Sequence, residues 1–260
     1  MEEKIKISAI IKTKNCEEKF CETLESIRDF DEIIVIDEHS SDDTVEIAKE
    51  YKAKIIYADK TILFETLNQS INEAQNEWIF LLEENEILPQ KLIYEIQNYI
   101  SSPKKNKNCV SFCQKNFYLN KEIKAAYKKN ILRLFKKDFA EFKNEYSFEL
   151  KPKNSKIHKI KPSSKAKNAC ILKFDEANIT KKIINKLDIN KFISKAIIEK
   201  KSSVFKKPIC AFIYSYFIKG AIFDGKRGFI YSTEKFIESF TLGVNILENE
   251  AKNDIRQSEK

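Results

Sequence analysis

Ile33-Ile34-Val35-Ile36-Asp37 runs into Glu38-His39-Ser40-Ser41-Asp42-Asp43-Thr44, and Trp78-Ile79-Phe80-Leu81-Leu82 runs into Glu83-Glu84-Asn85-Glu86. Both are short apolar runs that stop at acids, and helical periodicity fills the chain between them. Such runs read as buried parallel strands. In open α/β sheets, ligands bind off the carboxyl ends of the strands. Acids at two such ends predict a pocket able to hold a ribose and a divalent metal, the layout of a nucleotide-sugar site.

Working outward, residues 4–11 predict a first strand and 16–30 an amphipathic helix, with Phe20, Leu24 and Ile27 at helical spacing. Ser41 or Asp42 can cap a helix running to Tyr51, with acids placed at its positive end. Residues 54–57 predict a third strand, 63–75 a helix and 77–82 a fourth strand; Pro89 then opens a helix to about Ile100. This alternation predicts an α/β fold: a parallel, right-handed sheet with helices on both faces. After about 104 the rhythm changes. Strands are expected over 109–117, 131–135 and 142–150, and helices from 175 onward. The domain reading is a nucleotide-sugar-binding and acceptor domain over 1–150, a lysine-rich connecting segment over 151–174 and a helical region over 175–260. All four glycines lie between 220 and 243, which excludes a P-loop or dinucleotide fingerprint earlier in the chain.

The 260 residues carry a net charge of +8, with acids and bases interspersed. The exception is 151–173, which holds eight lysines and no acid. It reads either as a solvated loop or as a surface for an anionic membrane or phosphorylated acceptor. Nucleic acid is not expected as a partner, because base-stacking aromatics do not interleave with the lysines. The six cysteines (16, 21, 109, 113, 170, 210) lack zinc-knuckle spacing and are expected to be reduced and cytosolic. Met1-Glu2-Glu3-Lys4 gives no signal-peptide pattern. The apolar run over 208–218 is too short to cross a bilayer. It suits either an interfacial segment, through Phe212, Tyr214, Tyr216, Phe217 and Phe223, or a buried core helix.

Several blocks resemble the family 2 glycosyltransferases. They are Ser8-Ala9-Ile10-Ile11-Lys12-Thr13-Lys14-Asn15 with Glu17-Glu18, Asp31-Glu32-Ile33-Ile34-Val35-Ile36-Asp37, and Ser41-Asp42-Asp43-Thr44-Val45-Glu46-Ile47-Ala48. Leu132-Arg133-Leu134-Phe135-Lys136-Lys137 resembles the lipopolysaccharide-core β-glucosyltransferase branch of that family. So does the stretch Tyr216-Phe217-Ile218-Lys219-Gly220-Ala221-Ile222-Phe223-Asp224-Gly225-Lys226-Arg227-Gly228. The resemblance implies a GT-A fold, Rossmann-like with a mostly parallel sheet, plus a helical C-terminal region. It implies an inverting transferase that moves a hexose from a nucleotide sugar, UDP-linked, to a lipid-linked saccharide. The implied acceptor is a lipopolysaccharide or lipooligosaccharide core, and the implied place is the cytoplasm at the inner membrane surface.

The resemblance also assigns residues. Thr13, Asp37 and Asn68 match donor-binding positions, and Asp42 matches the family pattern while also suiting a helix cap. The metal-binding Asp-x-Asp falls on Glu83-Glu84-Asn85, with Glu86 beside it, so Glu83, Asn85 and Glu86 are the expected ligands of Mg²⁺ or Mn²⁺. Asn85 offers only a neutral carbonyl there. Arg133 is expected either to offset diphosphate charge or to form an internal ion pair. Glu149, in Phe148-Glu149, is the candidate acceptor-side base. Leu67 replaces a basic residue and His39 a glycine, the latter costly if its φ is positive. Lys12 and Lys14 are available to hold phosphate without a metal, whereas His39 and His158 are not expected to be catalytic. The alternative reading is a non-catalytic relative that binds a saccharide, a nucleotide or a partner enzyme.

Overall fold

The computed structural model describes residues 4–59, 63–102, 108–142, 150–153, 157–159, 170–175 and 206–258. They fall into two compact units, residues 1–115 with 128–174 and residues 116–127 with 175–260.

The first unit opens as the alternation predicts: β1 (Ile5–Thr13), α1 (Glu17–Ser26), β2 (Phe30–Asp37), α2 (Thr44–Glu50), β3 (Lys54–Tyr57), α3 (Leu63–Glu73) and β4 (Trp78–Glu83). After a tight turn come β5 (Glu86–Ile87), α4 (Gln90–Ile100), β6 (Cys109–Tyr118) and the short β7 (Lys121–Glu122), which pairs antiparallel with the end of β6. Strands β3, β2, β1 and β4 lie side by side and parallel. Strand β8 (Lys128–Lys136) then runs antiparallel to β4, and β6 antiparallel to β8. Beyond β6 lies β12 (Ile171–Asp175), which pairs antiparallel with β5. A separate hairpin joins β9 (Ala140–Phe142) to β10 (Leu150–Pro152), and β11 (Ile157–Lys159) adds to β6. The sheet is therefore parallel in its first half and mixed in its second.

Strand alternation explains the layers. Ile7, Ala9 and Ile11 of β1 and Ile33 and Val35 of β2 face Phe20 and Leu24 of α1 and Leu92, Ile93 and Ile96 of α4. Ile10, Ile34 and Ile36 point the other way, onto Leu63, Leu67 and Ile71 of α3. Helices thus cover both faces, and each fully buried Phe or Leu contributes about 2 kcal/mol of transfer free energy.

Three expectations change. Residues 151–174 are not simply a connecting segment, because β10, β11 and most of β12 belong to the first unit. The strand expected over 142–150 is instead two strand ends that pair with each other, since Phe142 lies opposite Leu150. The thiols are not all reduced: Cys113 and Cys170 form a disulfide with Cα atoms 4.9 Å apart. These two residues lie on or beside neighbouring strands, a proximity that 57 residues of separation conceal in the sequence.

In the second unit, α5 (Lys206–Ile213) passes through a π turn (Tyr214–Ile218) and a 3₁₀ turn (Ala221–Asp224) into α6 (Gly225–Ser258). No helix among the described residues is long and apolar enough to cross a membrane. The segment over 208–223 is not a buried core helix either: Phe223 is 89% and Ile218 72% exposed. The helices expected over 176–205 lie outside the described residues.

Gly228 sits where α6 meets the 3₁₀ turn, and a Cβ there would stand 1.7 Å from the Ala221 carbonyl oxygen. At an open helix position Gly→Ala stabilises by about 1 kcal/mol. Here the sign should reverse, and Gly228→Ala is expected to destabilise by roughly 3 kcal/mol. Chemical denaturation followed by circular dichroism checks this; a variant as stable as the parent would contradict the packing described.

Candidate functional site

In register, Thr13 stands opposite Asp37 on one side of β1, and Lys12 opposite Glu83 on the other. Three parallel strands therefore bring these residues to one edge of the sheet. A cavity of about 650 Å³ opens beside it, a size suited to a small-molecule ligand. Lys12, Leu67, Glu83 and Glu84 line it, and β8 adds Lys128 and Arg133.

The acids after β2 organise loops. Asp37 is fully buried and accepts hydrogen bonds from the Ser40 backbone N–H, at 2.9 Å, and from the Ser40 hydroxyl. Asp42 accepts from the Thr44 backbone N–H at 3.2 Å and from the Glu17 N–H at 3.3 Å, so it serves the starts of both α2 and α1. Glu17 returns the bond through the Asp43 N–H, at 3.1 Å. Asn15 accepts from Ser41 N–H at 2.8 Å and donates its own N–H to Ser40 Oγ at 2.9 Å. The loops after β1 and β2 are thereby laced together. His39 lies in this lacing with φ 55°, the positive value that makes a side chain costly there. Its ring stacks on Tyr57 at 5.8 Å and reaches Asp59 at 3.3 Å.

The acids after β4 do something else. One Glu83 oxygen accepts from Arg133 Nη2 at 2.8 Å, and the other accepts from Lys173 Nζ. Glu86 has no exposed surface; it accepts from Arg133 Nη2 at 2.6 Å and from the Glu83 N–H at 3.0 Å. Burial opposes the charge on Glu83, but Lys173 and Arg133 outweigh it and hold its carboxyl well below the usual range. Burial pushes the Glu86 carboxyl up, with Arg133 pulling the other way. Burial likewise pushes half-buried Glu84 up to about 7 against the pull of Lys12.

Of the residues singled out from sequence, Glu83 and Arg133 line the cavity, as do Lys12 and Leu67. Thr13 is buried against Cys16, its hydroxyl 2.7 Å from the thiol sulfur. Asn68 brackets the backbone of Phe142, accepting from its N–H at 3.2 Å and donating to its carbonyl at 3.3 Å. Asn85 donates its side-chain N–H to the Phe174 carbonyl at 2.8 Å. Lys14 is exposed, and Glu149 lies outside the described residues. Sequence reasoning missed Lys128 and Lys173. Lys173 was hidden at the end of the lysine run, where nothing local in the sequence separates it from the other lysines.

As arranged, the expected metal ligands do not suit a hard divalent cation. All four carboxylate oxygens of Glu83 and Glu86 already accept from Arg133, Lys173 or a backbone N–H. Among the described residues, no group of three or more His, Cys, Asp or Glu side chains could hold a metal ion.

The raised Glu84 carboxyl has a consequence for stability. Its contribution is complete below the unfolded value of 4.5 and is lost as pH rises through about 7. The thermal-stability advantage of Glu84→Gln over the parent should therefore widen between about pH 5 and about pH 8. A constant gap in melting temperature across that range would contradict the assignment.

Comparison with known proteins adds the family. A sequence model of glycosyl transferase family 2 matches residues 8–149. The chain is 34% identical over 146 residues to an uncharacterized glycosyltransferase of Rickettsia typhi, covering 54% of this chain and 49% of that protein. It is 36% identical over 100 residues to another from Rickettsia prowazekii, covering 37% and 34%. The chain thus spans about half the length or less of the curated relatives it matches. Among solved structures it is similar to S. aureus TarS 1–349 in complex with UDP-GlcNAc, at 14% identity and TM-score 0.48, covering 90% and 81%. It is also similar to M. tuberculosis glucosyl-3-phosphoglycerate synthase crystallised with Mn²⁺ and UDP-glucose, at 20% identity and TM-score 0.32, covering 43% of each chain. With the family model spanning more than half of the chain, and with parallel strands β3-β2-β1-β4 carrying the candidate site at their carboxyl ends, this protein belongs to glycosyl transferase family 2 and has a GT-A fold.

Proposed function

We propose that the chain transfers a hexose, with inversion, from a UDP-sugar bound in the cavity off β1 and β4 to a lipid-linked saccharide such as a lipopolysaccharide or lipooligosaccharide core. The observation that carries this reading is the cavity itself. It lies at the strand ends where α/β sheets bind nucleotides. Its lining combines Lys12, Lys128 and Arg133, suited to an anionic diphosphate, with the acids Glu83 and Glu84. Donor-side roles for Thr13, Asp37 and Asn68 are then indirect for their side chains: these shape the loops and the helix bordering the cavity. Glu149 is assigned as the acceptor-side base. Mg²⁺ or Mn²⁺, expected from the resemblance, would have to displace Arg133 and Lys173 from Glu83.

Support for a peripheral place at the cytoplasmic face of the inner membrane comes from the second unit. Ile213, Tyr214, Phe217, Ile218 and Phe223 are exposed there, near the exposed Lys206, Lys207, Lys219 and Lys226 in sequence. Aromatic and aliphatic side chains beside lysines suit an anionic bilayer surface. A second reading, a relative that binds nucleotide or saccharide without transferring it, draws on the occupied carboxylates of Glu83 and Glu86.

Two experiments separate these readings. Turnover is measured with a panel of UDP-hexoses and a lipooligosaccharide acceptor. The parent is expected to release UDP, and Glu149→Gln to bind donor normally while losing more than about a hundredfold in rate. Donor binding without turnover in the parent would favour the non-catalytic reading. In vesicle co-sedimentation, the double variant Phe217→Asp/Phe223→Asp is expected to lose binding to anionic vesicles while keeping donor affinity. Equal sedimentation of parent and variant would remove the membrane assignment.

A further inference from the structure

A nucleotide-sugar donor leaves behind a diphosphate, and its charge must meet positive charge at a fixed place. In a metal site, carboxylates at the end of the fourth strand hold an ion that supplies it. Here the corresponding carboxylate, Glu83, holds two protein cations instead, one on each oxygen. We propose that Lys173 and Arg133 replace the divalent cation, and that the donor diphosphate binds to them without any metal. This rests on the UDP-sugar reading above and concerns how that same site carries its charge.

Lys173 is built into position rather than left on a loop. It sits on β12 opposite Glu86 of β5. The next residue, Phe174, donates its N–H to the Asn85 carbonyl at 2.9 Å, and its own carbonyl accepts from the Asn85 side chain at 2.8 Å. The turn that would carry metal ligands is thus stitched to the strand that delivers the lysine. Asn85 serves that stitching, a role its amide fills and a carboxylate would not: only the amide has an N–H to donate. At the other end of the strand, Cys170 is bonded to Cys113 of β6. The Lys173 side chain is 18% exposed and Glu83 orients its ammonium.

Arg133 is placed as firmly. Its side chain is 12% exposed, and Glu83 and Glu86 both bond to it through one nitrogen, Nη2. Its buried Nε has no acceptor among the described residues, although Arg133 lines the cavity. A buried donor without a partner is costly, and a phosphate oxygen is a suitable acceptor for a guanidinium. Lys12 and Lys128 add positive charge to the same lining. A divalent ion bound to Glu83 would have to stand beside both Arg133 and Lys173, against like charge. In this arrangement Arg133 meets the diphosphate from the cavity wall, while Lys173 stands behind Glu83, the wall residue it is bonded to, and adds its charge from there.

The test is calorimetric titration of the full chain with UDP and, separately, with uridine, in EDTA and again with Mn²⁺. The expected result is UDP binding of equal affinity in both conditions. Lys173→Met is expected to weaken UDP by roughly tenfold to a hundredfold and to leave uridine unchanged, with Lys173→Arg recovering most of the loss. UDP binding that appears only with Mn²⁺ would overturn the inference while keeping the UDP-sugar reading. So would a Lys173→Met variant that binds UDP like the parent, or one that loses uridine in equal measure, the mark of a merely structural role. Absence of both UDP and uridine binding under every condition would overturn the inference and the UDP-sugar reading together. Should Lys173→Met fail to fold, the parent's response to EDTA decides between the same outcomes.

Discussion

Glu86 is a carboxylate with no exposed surface, and Arg133 is the cation that meets it, at 2.6 Å. Removing a charge from water costs several kcal/mol, and only a close, well-bonded partner offsets that. The pair therefore fixes geometry beyond itself. Arg133 sits on β8, the first antiparallel strand, while Glu86 opens β5 just past the last parallel one. Holding them together sets the turn after β4 against the second half of the sheet. Glu83, on the same guanidinium nitrogen, is aimed by the same constraint, and Lys173 then finds its acceptor.

The two acid clusters that first suggested a binding site turn out to play different parts. After β2, Asp37 accepts the Ser40 N–H within the loop, and Asp42 accepts N–H groups at the starts of both α2 and α1. Their charge is met locally, by a loop for Asp37 and, for Asp42, by donors that helix starts leave open. After β4, the acids meet cations from strands much later in the chain. A cluster whose partners are neighbouring backbone groups shapes a loop. One whose partners are distant charges shapes the electrostatics of a cavity.

That difference marks what was legible beforehand. The parallel half of the sheet was readable because its strands are continuous apolar runs separated by amphipathic helices, so β1 to β4 fall close to where periodicity puts them. That Asp42 serves a helix start was readable because such bonds are local, although the N-cap position itself falls on Asp43. The cost of His39 was readable only as a condition, and the φ of 55° meets it. The partners of Glu83 were not readable. Lys173 is 90 residues away and lay among seven other lysines with no local mark of its own. Asn68 matched a donor-binding position by motif, yet it brackets Phe142 on a strand whose place depends on long-range pairing. The Cys113–Cys170 bond was missed for the same reason.

The position of Lys173 bears on how such a site changes chemistry without changing fold. A metal ligand set needs several acids to converge, and its charge arrives from solution. A fixed ammonium needs one acid to orient it and a strand to carry it, and its charge belongs to the chain. Glu83 has one methylene more than the Asp the resemblance expects there, and its longer arm meets side chains on other strands. Asn85, where the resemblance expects an Asp, supplies an amide N–H that bonds to the Phe174 carbonyl on β12. Against the metal motif that the resemblance implies, each residue alone looks like erosion. Beside Lys173 and Arg133 the two are mutually consistent, and both fit the proposed site in which the chain itself supplies the positive charge.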